Sequence, residues 1–115
     1  MRILIVGASG YIGGRLVALL QAGGHDLVLL SRDARPLAAR FPETRVVAAD
    51  LLDAATLPSA LERIDVAYYL AHSMAGGEQG FAERDRQAAR NFAQAAKQAG
   101  VTRIQAACVA RVVLG

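Results

Sequence analysis

Three glycines, Gly7, Gly10 and Gly13, recur at every third position in the stretch GASGYIGG, directly behind the apolar run RILIV. Glycine carries no side chain, so such a turn lets the backbone approach a phosphate group closely. Gly7 would make the sharp bend, Gly10 would admit a pyrophosphate, and Gly13 would let the following helix pack closely on the sheet. The first N–H groups of that helix can bind phosphate oxygens. A tight strand-to-helix turn without a ligand is the alternative, and the glycine spacing disfavours it.

Apolar runs and helical periodicity predict the elements that position this turn. The apolar runs predict strands over residues 2–6, 26–31, 45–49, 65–71 and 103–109. Helices are predicted over residues 11–22, from a cap at Asp33 to about residue 41, from Asp53 to about Arg63, and over residues 81–99, with a loop over residues 74–80. A restart of the third helix at Pro58 is the alternative to one continuous segment.

Side chains at helical spacing should face the sheet. They are Ile12, Leu16, Leu19 and Leu20 in the first helix and Ala88, Ala89, Phe92, Ala95, Ala96 and Ala99 in the last. Tyr68 and Tyr69 belong to the fourth strand, so we expect both in the core.

Strands that alternate with helices at this spacing predict an α/β fold with a parallel sheet covered on both faces. Right-handed crossovers give a three-layer, Rossmann-like, doubly wound parallel sheet of about five strands in the order 3-2-1-4-5. The length of 115 residues and the lack of a linker indicate one domain over residues 1–115. Since the fifth strand would leave an open edge, this edge predicts either self-association or instability.

Composition excludes several classes of protein. The chain is 54% hydrophobic and 20% charged, which is typical of a globular domain, and its net charge of +3 comes from scattered basic residues. The sequence has neither a run of basic residues nor an aromatic platform, so we expect no nucleic-acid partner. The single cysteine, Cys108, rules out an internal disulfide and a cysteine-rich metal site. No apolar run is long enough to span a membrane, and a single cysteine fits a reducing compartment, so we expect a cytoplasmic protein. We expect no bound metal.

Two stretches resemble a known family. GASGYIGGRLV resembles the coenzyme motif of extended and atypical short-chain dehydrogenase/reductases, and residues 66–104 are similar to the NmrA-like NAD(P)-binding proteins among them. The likeness spans residues 1–104, the amino-terminal half of that fold, so we expect a domain truncated relative to full-length relatives. The resemblance implies that an NAD(P) cofactor contacts the motif at Gly7, Ser9, Gly10, Tyr11, Ile12 and Gly13.

The end of the second strand bears on which coenzyme binds. An Asp or Glu there binds the ribose 2′-hydroxyl of NAD, whereas an Arg suits the 2′-phosphate of NADP. This chain has Ser31 and Arg32 at that point, with Asp33 one residue late and Arg35 as a second candidate. These residues favour NADP(H) over NAD(H), and the alternative is that both arginines are ordinary surface residues.

Two further strand ends should meet the coenzyme. The resemblance places Asp50 and Leu51 beside the adenine ring, with a local turn or cap as the alternative role of Asp50. It also places Leu70, Ala71 and His72 along the cofactor. His72 could act as an acid or base, but the sequence offers no partner to orient it, so a non-catalytic role is preferred.

The catalytic pair typical of the family is absent from this stretch. Its reductases use Tyr and Lys in the pattern Y-x-x-x-K, but the only lysine here is Lys97, and no tyrosine precedes it at that spacing. The resemblance implies an oxidoreductase or an epimerase-like enzyme when full length. The missing pair favours a non-catalytic NAD(P) sensor that controls a partner, but the expected truncation weakens this inference, because the other half of the fold could supply catalytic groups. The sequence leaves the substrate, and the choice between enzyme and sensor, open.

Overall fold

The computed structural model describes residues 1–8, 11–70 and 79–106, which form a five-stranded parallel sheet with helices packed against it. The elements in chain order are β1 (Arg2–Val6), α1 (Tyr11–Ala22), β2 (Asp26–Ser31), α2 (Ala34–Arg40), β3 (Arg45–Ala48), a 3-10 turn (Ala54–Thr56), α3 (Leu57–Ala60), β4 (Val66–Tyr69), α4 (Gln79–Ala99) and β5 (Arg103–Ala106). The sheet order is β3-β2-β1-β4-β5, and every neighbouring pair is parallel. The predicted Rossmann-like order is therefore confirmed.

The central strand, β1, is apolar on both faces, and helices cover both. Ile3 and Ile5 belong to one apolar cluster with Val17 of α1 and Leu37 of α2. The alternate residues of β1, Leu4 and Val6, face a second apolar cluster on the other side of the sheet. Side chains of α3 and α4 complete this cluster; they include Leu57, Ala60 and Phe92. Alternate side chains of a strand point to opposite faces, so this pattern produces the predicted three layers.

The face that α1 turns to the sheet differs from the predicted one. Val17 is fully buried, Leu16 and Leu20 pack against the same cluster, and Leu19 is 70% exposed. Residues 13, 17 and 20 form the stripe nearest the sheet, and Leu19 lies on the far side of the helix. The expectation for Leu19 was wrong, and the side chain of Ile12 is not described.

The face of α4 was predicted more closely. Ala88, Phe92, Ala95 and Ala96 are buried, as expected, while Ala89 and Ala99 are exposed. Tyr68 and Tyr69 are half-buried and pack against opposite apolar clusters, so they border the core without being enclosed by it.

Several boundaries also differ from the expected ones. β4 ends at Tyr69 instead of residue 71, and α4 begins at Gln79, inside the predicted loop. The predicted helix from Asp53 to Arg63 is a 3-10 turn capped by Asp53, followed by the single turn of α3. β5 is described as far as Ala106, and the rest of the predicted strand lies outside the described residues.

β5 lies at one edge of the described sheet, beside β4 alone. Association through this edge stays a prediction. Within the described ranges, no helix combines the length and the apolar character that a membrane crossing requires.

Candidate functional site

The carboxyl ends of four strands meet at one edge of the sheet. Because β3, β2, β1 and β4 are parallel neighbours, the residues that follow them lie side by side. Backbone pairing continues past two of these ends: Leu70 N donates to Val6 O, and Ala49 N donates to Ser31 O, each at 2.9 Å. These bonds hold Ala49, after β3, beside the end of β2, and Leu70, after β4, beside the end of β1.

The glycine turn brings α1 into backbone contact with the end of β1. Gly7 has a φ of +96°, a conformation that residues with a side chain rarely adopt. A Cβ atom on Gly13 would collide with the carbonyl oxygen of Gly7 and would lie 2.7 Å from Cα of Ala8. Glycine is therefore required at position 13 by the packing of α1, as the sequence predicted for the last glycine of the motif.

Parts of the motif lie beyond this geometry. Ser9 and Gly10 are outside the described residues, so their predicted contacts with a pyrophosphate stay predictions. Tyr11 and Ile12 are the first two residues of α1, and their side chains are not described. The start of α1 at Tyr11, at the carboxyl edge of β1, directs its first N–H groups toward this edge.

An open cleft of about 660 Å³ lies along the ends of β1, β2 and β3. Its volume is within the range of small-molecule and cofactor sites, about 300–1,000 Å³. It gathers five residues that the sequence predicted for cofactor binding, namely Gly7, Ser31, Arg32, Asp50 and Leu51. Asp33 and Leu52 also line it, as do three residues of α4: Arg84, Asp85 and Ala88.

Other predicted residues lie apart from the cleft. Gly13 is buried beneath the glycine turn and contacts its backbone. Leu70 is 8% exposed and packs with the cluster on the α1 side of the sheet. Ala71 and His72 lie outside the described residues, so the structure does not test their roles.

Asp33, next to Arg32 at the tip of β2, is paired with the side chain of Arg35. The guanidinium of Arg35 donates from Nε to Oδ1 of Asp33 and from Nη2 to Oδ2, each at 3.1 Å. Oδ1 also accepts the N–H of Arg35 and so caps α2, as predicted. The hydroxyl of Ser31 donates to Asp33 O at 2.9 Å, while Arg32 is exposed and lines the cleft.

The bonds from Arg35 hold the pKa of Asp33 below its ordinary value, first through the guanidinium and second through the backbone N–H. The hydrogen bonds between the two side chains raise the pKa of Arg35 in turn. Asp33 is therefore a carboxylate at neutral pH whose charge is balanced by its neighbour. The second candidate for a 2′-phosphate, Arg35, is engaged in this pair, which leaves Arg32 as the more available of the two.

The loop after β3 is held by local hydrogen bonds. The hydroxyl of Thr56 accepts from Asp50 N at 2.9 Å and donates to Asp53 O at 2.7 Å. Oδ1 of Asp50 accepts the N–H of Leu52 at 2.9 Å. Asp50 thus has the turn-forming role that was the alternative reading, and its proximity to an adenine ring stays a prediction.

The sequence reading missed the contribution of α4 to this loop. Asn91 donates from Nδ2 to Leu51 O at 2.8 Å and accepts from Nε2 of Gln87, also at 2.8 Å. Positions 84, 88 and 91 are separated by four and three residues and so share one side of the helix. This spacing beside the apolar face is the signal that could have identified them.

Tyr69, at the end of β4, has a pKa raised mainly by burial and further by the negative charge of Asp85. Its ring packs against that of Phe92, with centroids 5.2 Å apart. This environment does not favour a tyrosinate at position 69.

Comparisons with known proteins agree with this geometry. The sequence profile of a family described as NAD(P)H-binding matches residues 7–112. A 3-diazoavenalumate denitrifying reductase from a Streptomyces species is 48% identical over 62 residues, which are 53% of this chain and 19% of the reductase.

Solved structures with the same sheet include two with a nicotinamide dinucleotide bound. An NADPH-dependent quinone oxidoreductase from Escherichia coli, complexed with NADPH, has a TM-score of 0.76 and 29% identity, over 90% of this chain and 35% of the oxidoreductase. A dTDP-glucose 4,6-dehydratase from Streptomyces venezuelae, with NAD bound, has a TM-score of 0.75 and 28% identity, over 90% of this chain and 38% of the dehydratase. The chain spans about a fifth of the curated reductase that it matches and less than two fifths of either enzyme of known structure.

The contact between Gly13 and the glycine turn predicts opposite effects of alanine at two adjacent glycines. Gly13→Ala should lower the free energy of unfolding by about 1–3 kcal/mol, because its methyl group meets backbone atoms that cannot rotate away. At Gly14 the methyl group would meet only the guanidinium end of Arg40. Gly14→Ala should therefore be neutral or stabilising by up to about 1 kcal/mol, the gain in helix propensity. Urea unfolding of both variants tests this, and equal losses would contradict the contact.

The pair between Asp33 and Arg35 predicts a pH effect at the tip of β2. Because the folded pKa of Asp33 is lowered, the pair stabilises the fold above the unfolded-state pKa, and the contribution is lost as pH falls through the folded value. We expect an NMR titration of the Asp33 carboxyl to give a midpoint below the ordinary one. Arg35→Ala should raise that midpoint, whereas Arg45→Ala, at the opposite end of the sheet, should not. No movement in Arg35→Ala would show that the pair does not form in solution.

Proposed function

Because the chain belongs to the NAD(P)H-binding family, whose profile matches residues 7–112, we propose that its cleft binds the adenosine half of a nicotinamide dinucleotide. The observation that carries the proposal is the convergence of Gly7, Arg32 and Asp50, from the ends of three neighbouring strands, on one cleft. Open α/β sheets bind ligands at this edge, where the chain leaves the central strands in opposite directions.

The glycine turn fits the pyrophosphate of such a cofactor. Gly7 has the positive φ of a tight turn, and Gly13 lets α1 lie against it without a side chain between them. We assign Ser9, Gly10, Tyr11 and Ile12 to the same contact, since they join the turn to the first N–H groups of α1. These groups bind and orient the phosphates, and the bound nicotinamide supplies hydride transfer.

The tip of β2 supports a preference for NADP(H) over NAD(H). An acidic side chain that accepted the ribose 2′-hydroxyl would favour NAD, but both carboxylate oxygens of Asp33 are hydrogen-bonded to Arg35. Arg32 lines the cleft as an exposed cation, and Ser31 lies beside it. Arg32 can bind a 2′-phosphate, and the charge of Asp33, which would otherwise repel that phosphate, is balanced by Arg35.

The remaining contacts follow the length of a dinucleotide along the sheet edge. Asp50 and Leu51 are assigned to the adenine ring at the end of β3. Leu70, Ala71 and His72 are assigned to the nicotinamide half, at the end of β4. The buried position of Leu70 supports a contact through its backbone. His72 has no catalytic role in this proposal.

For the whole protein we propose an NmrA-like member of the short-chain dehydrogenase/reductases in the cytoplasm, acting as an oxidoreductase or an epimerase-like enzyme. The similarity to a reductase, an oxidoreductase and a dehydratase supports the enzymatic part of this proposal. A non-catalytic sensor of NAD(P) is the second candidate. One observation favours the sensor: these 115 residues contain no Y-x-x-x-K pair.

The glycine turn predicts that NADPH and NADH bind, and that bulk at position 10 prevents it. Gly10→Val should abolish measurable binding of both, because the side chain would occupy the space that the pyrophosphate needs. Ala18→Val adds comparable bulk on the exposed side of α1 and serves as the control. Nicotinamide fluorescence on titration measures both affinities. Equal binding by wild type and Gly10→Val would contradict the phosphate-binding role of the turn.

Arg32 predicts the choice between the two coenzymes. Arg32→Ala should weaken NADPH by roughly tenfold or more, the effect of losing a charge-assisted hydrogen bond, and should change NADH little. Arg45→Ala removes a cation from the other end of the sheet and should leave the affinity ratio unchanged. The same titration gives the ratio for each variant. If Arg32→Ala kept the wild-type ratio, Arg32 would be an ordinary surface residue.

A further inference from the structure

Asn91 connects α4 to the loop after β3 through a side chain that is bonded at both ends. Its Nδ2 donates to Leu51 O, and its Oδ1 accepts from Gln87, each at 2.8 Å. The bond to Leu51 is partly buried and joins residues 40 positions apart in the chain. The carbonyl of Leu51 can only accept, so it fixes the Asn91 amide with Nδ2 toward the loop, and Gln87 donates to the remaining oxygen.

The conformation of the loop after β3 is determined by its own hydrogen bonds, but its position relative to α4 is not. Bonds among Asp50, Leu52, Asp53 and Thr56 determine its internal conformation. They leave its distance from α4 to be determined by packing and by the bond from Asn91. Leu51, whose carbonyl accepts that bond, also packs its side chain against the apolar cluster that contains Phe92.

Each partner of this bond belongs to an element that lines the cleft. Asp50, Leu51 and Leu52 form one wall, and Ala88, one turn before Asn91 on α4, belongs to the other. Asn91 therefore ties the loop wall to the helix wall through one hydrogen bond from a side chain to the backbone. A flat ring that enters this space requires a fixed separation of the walls, and a wall held in place before binding avoids an ordering cost.

We propose that Asn91 is a positioning residue that sets the width of the cleft at its adenine end. The proposal rests on the function proposed above, because it concerns the same cleft. Asn91 acts through Leu51 and is not itself in contact with the ring. Its effect should fall equally on NADP and NAD, which share adenine, in contrast to the effect of Arg32.

The test compares NADP with its 1,N6-etheno derivative, whose adenine carries an extra ring. Asn91→Asp keeps the shape of the side chain but replaces the donor to Leu51 O with an oxygen. Gln94→Glu makes the same change of charge at an exposed position of α4 and is the control. Calorimetry gives the affinities of the folded proteins for both ligands, and urea unfolding gives their stability.

Wild type and Gln94→Glu should bind NADP more tightly than the etheno derivative. In Asn91→Asp we expect about tenfold weaker NADP and NAD binding, because the carbonyl loses its partner and the wall its position. The preference for adenine over etheno-adenine should narrow by at least roughly threefold, since a released wall admits the larger base. Gln87→Ala, an exposed change that only frees the amide, should give a smaller shift in the same direction.

An unchanged preference in Asn91→Asp, with or without a loss of stability, would overturn the proposal and leave Asn91 as a structural link. If Asn91→Asp does not fold, an unchanged preference in Gln87→Ala would overturn it equally. Failure of wild type to bind either ligand would instead refute the proposed function, and the inference with it.

Discussion

Burial of β1 on both faces is the constraint on which the rest of the molecule depends. Ile3, Leu4, Ile5 and Val6 are at most 2% exposed, so helices must cover the sheet above and below. Each such side chain removed from water stabilises the fold by roughly 1.5–3 kcal/mol. A strand buried in this way occupies the centre of the sheet, and its carboxyl end is fixed relative to those of its neighbours.

The glycine turn converts this packing into a binding geometry. Because Gly13 lies against the backbone of Gly7 and Ala8, the start of α1 is fixed relative to the end of β1 without a side chain between them. A helix that began farther away would leave its N–H groups out of reach of a ligand on the sheet edge. The same close packing therefore serves stability and cofactor binding together.

The two carboxylates at the ends of β2 and β3 are engaged by neighbouring groups, whereas the guanidinium of Arg32 is exposed in the cleft. The carboxylate of Asp33 is balanced by Arg35, and Oδ1 of Asp50 is used by the turn that it forms. Arg32 stands exposed at the tip of β2. Reductases and a dehydratase have structures or sequences similar to this chain, so the fold by itself does not determine the reaction type.

The sequence by itself determined the strand order, the helical cover of both sheet faces, the cap at Asp33 and the tight packing at Gly13. These depend on local patterns: apolar runs, helical periodicity, and glycines at a strand-to-helix junction. It also identified the five predicted residues that line the cleft, because parallel strands bring their carboxyl ends to one edge.

Only the tertiary structure decided which helix residues face the sheet, as the exposure of Leu19 and the burial of Val17 show. It also decided that Arg35 binds Asp33 and that Asn91 reaches Leu51 from 40 residues away. A helical repeat fixes which side chains share a face, but the rotation of a helix on its sheet is set by the packing of all layers. Contacts between distant segments depend on that rotation, so no local pattern contains them.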